Sequence, residues 1–195
     1  MELGTKERIL REAQRLIHTN GFRATSVDAI AKASGVKKAN VFYYFPNKEE
    51  LGLELLDRMA TLALTHILTP TFDNDRHPTE QLRDYLKLVR RHMEESYCAG
   101  GCPLGNLALE MADVNEAFRT RLTQFFEAWE SVIEGVLQRG RDSGLYRETM
   151  DPRATASFIV SALEGAILLA KTKRDPEVLA HAESHLVHLL EGYQV

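Results

Sequence analysis

Apolar residues recur at intervals of three and four along almost the whole chain of 195 residues, and this spacing constrains the fold more than any other feature of the sequence. It places the apolar side chains on one face of a helix, whereas a half-buried strand requires alternation of apolar and polar residues. We find no sustained alternation. The sequence therefore predicts an all-α fold, with about nine helices between its start and stop signals.

The first three predicted helices are short and closely spaced. The first spans about 5–19, the second begins after Ser26, and the third spans 37 to about 44. Serine is a favourable N-cap residue, and a tight turn that contains Gly35 joins the last two helices. Two short helices joined in this way form the helix-turn-helix arrangement, whose second helix enters the major groove of DNA. We therefore expect a DNA-binding motif at about 26–45.

The charge of the chain is unevenly distributed. Residues 1–48 hold nine Lys and Arg against four Asp and Glu, a net charge of +5, although the whole chain has −4. A basic segment of this kind is what a surface that meets phosphates requires. A charged helix face is also often only solvated, so charge alone does not establish DNA binding.

Four segments of the N-terminal region carry a family resemblance. They are GFRATSVDAIA at 21–31, ASGV at 33–36, VFYYF at 41–45 and NKEEL at 47–51. Together they resemble the TetR family of repressors, and the match covers roughly the first 55 residues without a gap. Asn40 and Phe42 depart from it, since small hydroxyl residues and tyrosine are common there. This departure affects the operator sequence that we would expect, not DNA binding itself.

The resemblance implies a homodimeric repressor with two domains. Residues 1–48 would form the DNA-binding domain, and 49–195 a helical domain for effector binding and dimerisation. Of the residues that would contact DNA, three would touch phosphates and the others bases or nearby backbone. The residues expected to touch phosphates are Ser26, Tyr43 and Lys48. Those expected to face bases or nearby backbone are Lys37, Lys38, Ala39, Asn40 and Tyr44. Judged on the residues alone, the two tyrosines could equally be core aromatics and the lysines merely solvated.

A fourth helix, predicted from Asn47 to about Leu68, joins the two domains. It begins with a capping box formed by Asn47 and Glu50. Because it follows the groove-binding helix after one proline turn, a shift of its far end would change the angle between the two DNA-binding domains of a dimer. A loop is predicted at 69–78, where turn-forming residues accumulate.

Two cysteines lie close together in the sequence, at Cys98 and Cys102. The second precedes Pro103 at a predicted helix N-terminus, where the local potential stabilises a thiolate. A redox or electrophile sensor is one interpretation. Residues 101–106 also resemble the Gly-Cys-x-x-Gly-Asn segment of a family branch whose repressors control drug resistance and electrophile detoxification. The alternative is that both cysteines are small buried fillers.

A long helix predicted from about 115 to 140 carries a stripe of large apolar side chains. Such a stripe is chiefly core. In the family the corresponding helix helps to enclose an effector pocket, so the resemblance implies a small-molecule effector. Candidate lining residues are Tyr97, Asn106, Glu110, Met111, Phe125 and Trp129.

The last two helices are predicted to begin at Asp151-Pro152 and Asp175-Pro176. Small residues among large apolar ones allow close helix approach, and the resemblance implies a four-helix dimer interface. The candidate interface residues are Phe158, Ala162, Gly165, Ala166, Leu169, Leu186 and Leu189. A symmetric dimer would place two DNA-binding domains roughly 34–36 Å apart on a near-palindromic double-stranded operator.

Other function classes find little support in the sequence. There is no glycine-rich phosphate loop, no nucleophile elbow and no zinc-protease motif, so neither an enzyme nor a cofactor is predicted. The helical spacing of His181, His185 and His188 would allow metal ligands on one face. Because surface histidines outnumber metal ligands and no cysteine or carboxylate partner is evident, we expect an exposed rim instead. No membrane span or signal peptide is apparent, and we expect a cytoplasmic protein. The remaining alternatives are a DNA-binding activator and a helical adaptor that binds an acidic protein.

Overall fold

The computed structural model describes residues 4–195, and nine helical segments account for most of them. They are α1 (Thr5–Asn20), α2 (Val27–Ala33), α3 (Lys38–Tyr44), α4 (Lys48–Leu62), α5 (Pro78–Glu95), α6 (Pro103–Met111), α7 (Glu116–Asp142), α8 (Pro152–Lys173) and α9 (Glu177–Glu191). Within this described range, β pairing is limited to one bridge between Tyr146 and Gln194. The predicted all-α fold is confirmed.

Short polar side chains begin several helices as the sequence predicts. The Ser26 hydroxyl accepts a hydrogen bond from the Ala29 amide at 3.1 Å, and the Asn47 side chain accepts one from the Glu50 amide at 2.8 Å. Asp151 caps α8 in the same way. Each such cap stabilises its helix by about 1 kcal/mol. At Asp175 the prediction is one residue early, because α9 begins at Glu177.

The end of α4 differs from the prediction. Helical structure continues past Leu62 through a π-helical stretch, Ala63–Leu68, and a last turn, Thr69–Phe72. The Thr69 amide donates to the Leu64 carbonyl, five residues back. Pro70 has no N–H to continue the usual ladder, and the wider π turn lets the helix continue past it. The predicted loop therefore begins only at Asp73.

The chain packs as two compact units. Unit 1 comprises Met1–Ala60 with Pro103–Thr123, and unit 2 comprises Thr61–Cys102 with Gln124–Val195. The core of unit 1 includes the apolar faces of α1, α2 and α3, which bury Ile9, Leu10, Ala13, Ile30 and Val41. Unit 1 thus adds most of α4, all of α6 and the start of α7 to the predicted DNA-binding region.

Unit 2 contains a long apolar helix. Over the part of the chain that the structure describes, α8 is the one helix long and apolar enough to cross a membrane by length and composition, with a mean hydropathy of 1.5. Within this unit, α8 buries Ile159, Leu163 and Ala170. A core helix of a globular unit meets the same two criteria.

Candidate DNA-binding surface

The third helix presents its polar residues outward. Val41 and Phe45 are buried, whereas Tyr43 is 81% exposed. Lys37, Lys38, Ala39, Asn40 and Tyr44 are exposed as well. The core-aromatic interpretation is therefore wrong for Tyr43, whose phenol is accessible. All eight predicted DNA-contacting residues lie in unit 1, and α3 places six of them at its start or along its length.

Three of the predicted contacts, Lys38, Ser26 and Lys48, already have partners within unit 1. The Lys38 ammonium forms an ion pair with Asp28 at 2.8 Å, and both side chains are exposed. Exposed pairs of this kind contribute little to stability, so Lys38 can exchange Asp28 for a phosphate at small cost. The Ser26 hydroxyl oxygen accepts from the Ala29 amide, which leaves its own hydrogen available for donation.

Lys48 lies at the first position of α4, beside the turn that connects α1 and α2. Its ammonium donates to the Arg23 carbonyl at 3.3 Å and lies 4.6 Å from the centre of the Phe22 ring. A cation above an aromatic face is attracted by the ring quadrupole. The side chain is thereby held against the turn Gly21–Arg23.

The same turn also contacts a residue far away in the sequence. Glu110, on α6, accepts hydrogen bonds from the backbone amides of Phe22 at 2.7 Å and Arg23 at 2.6 Å. Glu110 is one of the candidate effector-pocket residues, but its carboxylate binds the turn between α1 and α2. Sequence reasoning missed this contact because nothing local to either segment indicates it.

Aromatic packing joins the turn itself to two helices of unit 1, α4 and α7. The rings of Phe22 and Phe118 lie 5.0 Å apart. Gly52 of α4 sits against both, and a Cβ atom there would lie 2.7 Å from the Phe118 ring. An ion pair between Arg121 and Asp57 joins α7 to α4 nearby. Only glycine fits at position 52 without displacing a ring.

The candidate effector-pocket residues are divided between the units. Asn106, Glu110 and Met111 belong to unit 1, whereas Tyr97, Phe125 and Trp129 belong to unit 2. Phe125 and Trp129 are buried and pack at 5.9 Å between ring centres, but Tyr97 is 87% exposed. Tyr85 contacts the Trp129 ring edge-on. Unit 2 therefore contains a buried aromatic cluster, and Tyr97 lies on the surface of that unit.

The two cysteines occupy different environments in unit 2. Cys98 is buried, and its burial raises the pKa of the thiol. Cys102 is half-buried and hydrogen-bonds to the Glu164 carboxyl, whose pKa is raised by burial despite this bond. Burial disfavours the thiolate, so the environment of Cys98 favours its interpretation as a small buried filler.

The candidate interface residues on α8 and α9 differ in exposure. Phe158 is 57% exposed and Leu169 47%. Ala162, Gly165 and Leu189 are half-buried. Ala166 and Leu186 are buried within their own unit. They therefore pack in the core of that unit and are not exposed for contact with a second copy.

Comparison with known families yields two matches. The family described as "Bacterial regulatory proteins, tetR family" matches residues 9–55. The family described as "Tetracyclin repressor-like, C-terminal domain" matches residues 78–186. The two matches together extend over most of the chain, in the order that the sequence resemblance implied.

Individual relatives agree with the family matches. The chain is 31% identical over 172 residues to the uncharacterized HTH-type transcriptional regulator YxaF of Bacillus subtilis, across 88% of this chain and 87% of that protein. It is 23% identical over 192 residues to the HTH-type transcriptional repressor NemR of Escherichia coli, across 97% of this chain and 95% of that protein. A crystal structure of the regulatory protein TetR from Rhodobacter sphaeroides matches with a TM-score of 0.85 and 27% identity, across 93% and 96% of the two chains.

Proposed function

We propose that this chain, which belongs to the TetR family of bacterial regulatory proteins, is a repressor that a small molecule or electrophile releases from a near-palindromic operator. The observation that carries the proposal is the exposed, basic and aromatic face of α3 in a unit that matches the family's DNA-binding region. A similarity to the repressor NemR supports the direction of regulation. The DNA-binding domain is residues 1–48, and the effector and dimerisation domain is 49–195.

The proposed DNA contacts are of two kinds, to phosphates and to bases. Lys48, Tyr43 and Ser26 donate to phosphates and fix the protein on the duplex without sequence preference. Asn40 can bond an adenine edge with two hydrogen bonds, and Lys37 can donate to guanine. The remaining contacts of α3, from Lys38, Ala39 and Tyr44, complete the surface that enters the groove.

Dimerisation aligns two such surfaces. The exposed side chains of Phe158 and Leu169 leave apolar area on α8 that a second copy would cover, since burial of apolar surface is the main driving force for association. A two-fold axis through this face gives two groove-binding helices roughly 34–36 Å apart. A movement of the far end of α4 would change that spacing and release the operator.

The effector binds among the helices of unit 2. Within the part of the chain that the structure describes, the buried indole nitrogen of Trp129 and Oε1 of Glu164 have no hydrogen-bond partner. Buried polar atoms are normally paired, so each of these two atoms is a candidate partner for a polar group of an effector. The protein acts in the cytoplasm, without a cofactor and without catalysis.

Selection of operators from a random pool of duplex DNA tests the proposal. Wild-type protein should enrich a near-palindromic sequence, and a mobility shift should show binding that weakens with salt. Lys48→Ala and Tyr43→Ala should each weaken binding about tenfold, since each removes a phosphate contact from both subunits. Lys87→Ala, which removes an exposed lysine of unit 2, is the matched control and should bind normally.

The outcomes separate the alternatives. No enrichment over random competitor would contradict DNA binding and favour a helical adaptor. If a promoter reporter carrying the selected sequence were activated by the protein, the repressor assignment would be wrong, while DNA binding would stand.

A further inference from the structure

We propose that Glu110 is a positioning residue for DNA binding: its carboxylate holds the turn Gly21–Arg23 and, through that turn, the phosphate-contacting side chains of Lys48 and Ser26. The inference rests on the proposed function, because it takes the phosphate contacts of Lys48 and Ser26 from there. It adds a residue that touches no DNA itself and that lies outside both the DNA-binding domain and the groove-binding helix.

The geometry of the contact is specific. One carboxylate binds two consecutive backbone amides, with Oε2 2.7 Å from the nitrogen of Phe22 and Oε1 2.6 Å from that of Arg23. Hydrogen bonds with a charged acceptor are shorter and roughly twice as strong as neutral ones. Two adjacent amides that share one carboxylate cannot rotate independently, so the contact fixes the orientation of the peptide between them.

The carboxylate approaches the turn closely at a glycine. Gly21 has a φ of +90°, which residues with a Cβ rarely adopt, and a Cβ there would lie 3.1 Å from the Glu110 carboxylate. Glycine therefore serves both the backbone conformation and the close approach of Glu110.

Both phosphate-contacting side chains depend on the same turn. Lys48 donates to the Arg23 carbonyl and lies over the Phe22 ring. Thr25 is buried, and its hydroxyl donates to the Gly21 carbonyl at 2.8 Å, which closes the turn directly before Ser26. Glu110 thus binds the amides of the turn, while Lys48 and Thr25 bind its carbonyls. Without the carboxylate, the backbone of the turn is less fixed, and the positions of the Lys48 and Ser26 side chains are less fixed with it.

The test uses the full-length protein and the fluorescently labelled duplex that wild type enriches from the random pool. Glu110→Gln keeps the size of the side chain but removes the charge and one acceptor. Its affinity, measured by fluorescence anisotropy, should fall about tenfold. Glu127→Gln, at an exposed position of α7, is the control and should bind like wild type. Thermal melting of each variant checks that the fold is retained.

Two readouts separate positioning from a general loss of fold. Impaired phosphate contacts should make the dependence of log affinity on log salt shallower, whereas a smaller fraction of folded protein would leave this slope unchanged. Because Glu110 acts through Lys48, the effect of Glu110→Gln should shrink in a Lys48→Ala background. If Glu110→Gln binds like wild type, or if the two effects multiply fully, the inference is overturned while DNA binding by the wild type stands.

Discussion

Two regions of the protein differ in whether their polar atoms have hydrogen-bond partners. They are the turn Gly21–Arg23 in unit 1 and the surroundings of Trp129 in unit 2. At the turn, Glu110 binds two amides and Lys48 binds a carbonyl. In unit 2, the described residues offer no hydrogen-bond partner to the indole nitrogen of Trp129 in the aromatic cluster or to Oε1 of Glu164. Unpaired buried polar atoms cost free energy. The polar atoms of the first region are therefore paired within unit 1, whereas the second retains unused hydrogen-bonding capacity, as the proposed effector site requires.

The largest effect should come from disturbing the tight packing beneath the turn. Gly52→Ala places a methyl group against the rings of Phe22 and Phe118, and overpacking of this kind costs about 1–3 kcal/mol. We expect a lower melting temperature and weaker operator binding. Gly135→Ala is the matched control in unit 2, where the nearest atom is the end of the Arg139 side chain at 3.8 Å. There alanine should leave stability unchanged or raise it by up to about 1 kcal/mol. Equal losses in both variants would contradict the comparison.

Local chemistry explains which parts of unit 1 could be predicted. The caps at Ser26 and Asn47 involve atoms three residues apart, and the burial of Val41 follows from helical spacing, so a short window contains the information. The Glu110 contact spans 88 residues in the chain. Glutamate on a helix has many possible partners, and neither its spacing nor the turn sequence indicates which one it takes.

The cluster in unit 2 was harder to predict for a different reason. A stripe that contains Phe125 and Trp129 has the same sequence pattern whether the side chains form solid core or line a site. Only the structure shows that the Trp129 indole nitrogen is buried with no hydrogen-bond partner among the described residues. It also shows that Tyr97 lies on the surface. The π-helical stretch before Pro70 was also missed, since periodicity does not distinguish it from ordinary helix.

A smaller effect is expected from the carboxyl group of Glu164 in unit 2. Burial raises the pKa of Glu164 above the value of 4.5 for an unperturbed glutamate. A raised native pKa favours the folded state below the unfolded value, and this contribution is lost as the pH rises through the native value. Glu164→Gln should therefore be more stable than wild type near neutral pH, because the amide carries no charge that burial penalises. The difference should vanish in acid, as denaturant titrations at several pH values would show. A constant difference at all pH values would argue against a buried ionisable carboxyl.

The smallest effect concerns the reactivity of the thiols and leaves stability unchanged. Burial raises the pKa of Cys98, and the thiolate is the reactive form, so iodoacetamide should modify Cys98 more slowly in the native protein than in urea at the same pH. Cys102 is half-buried and should react first in the native protein, as mass spectrometry of peptides after timed quenching would resolve. Because the thiolate is scarce at Cys98, its rate should keep rising at pH values above the ordinary range of a cysteine. Fast native modification of Cys98 at neutral pH would instead mean that unit 2 opens readily, and its thiol would then be the better candidate for an electrophile sensor.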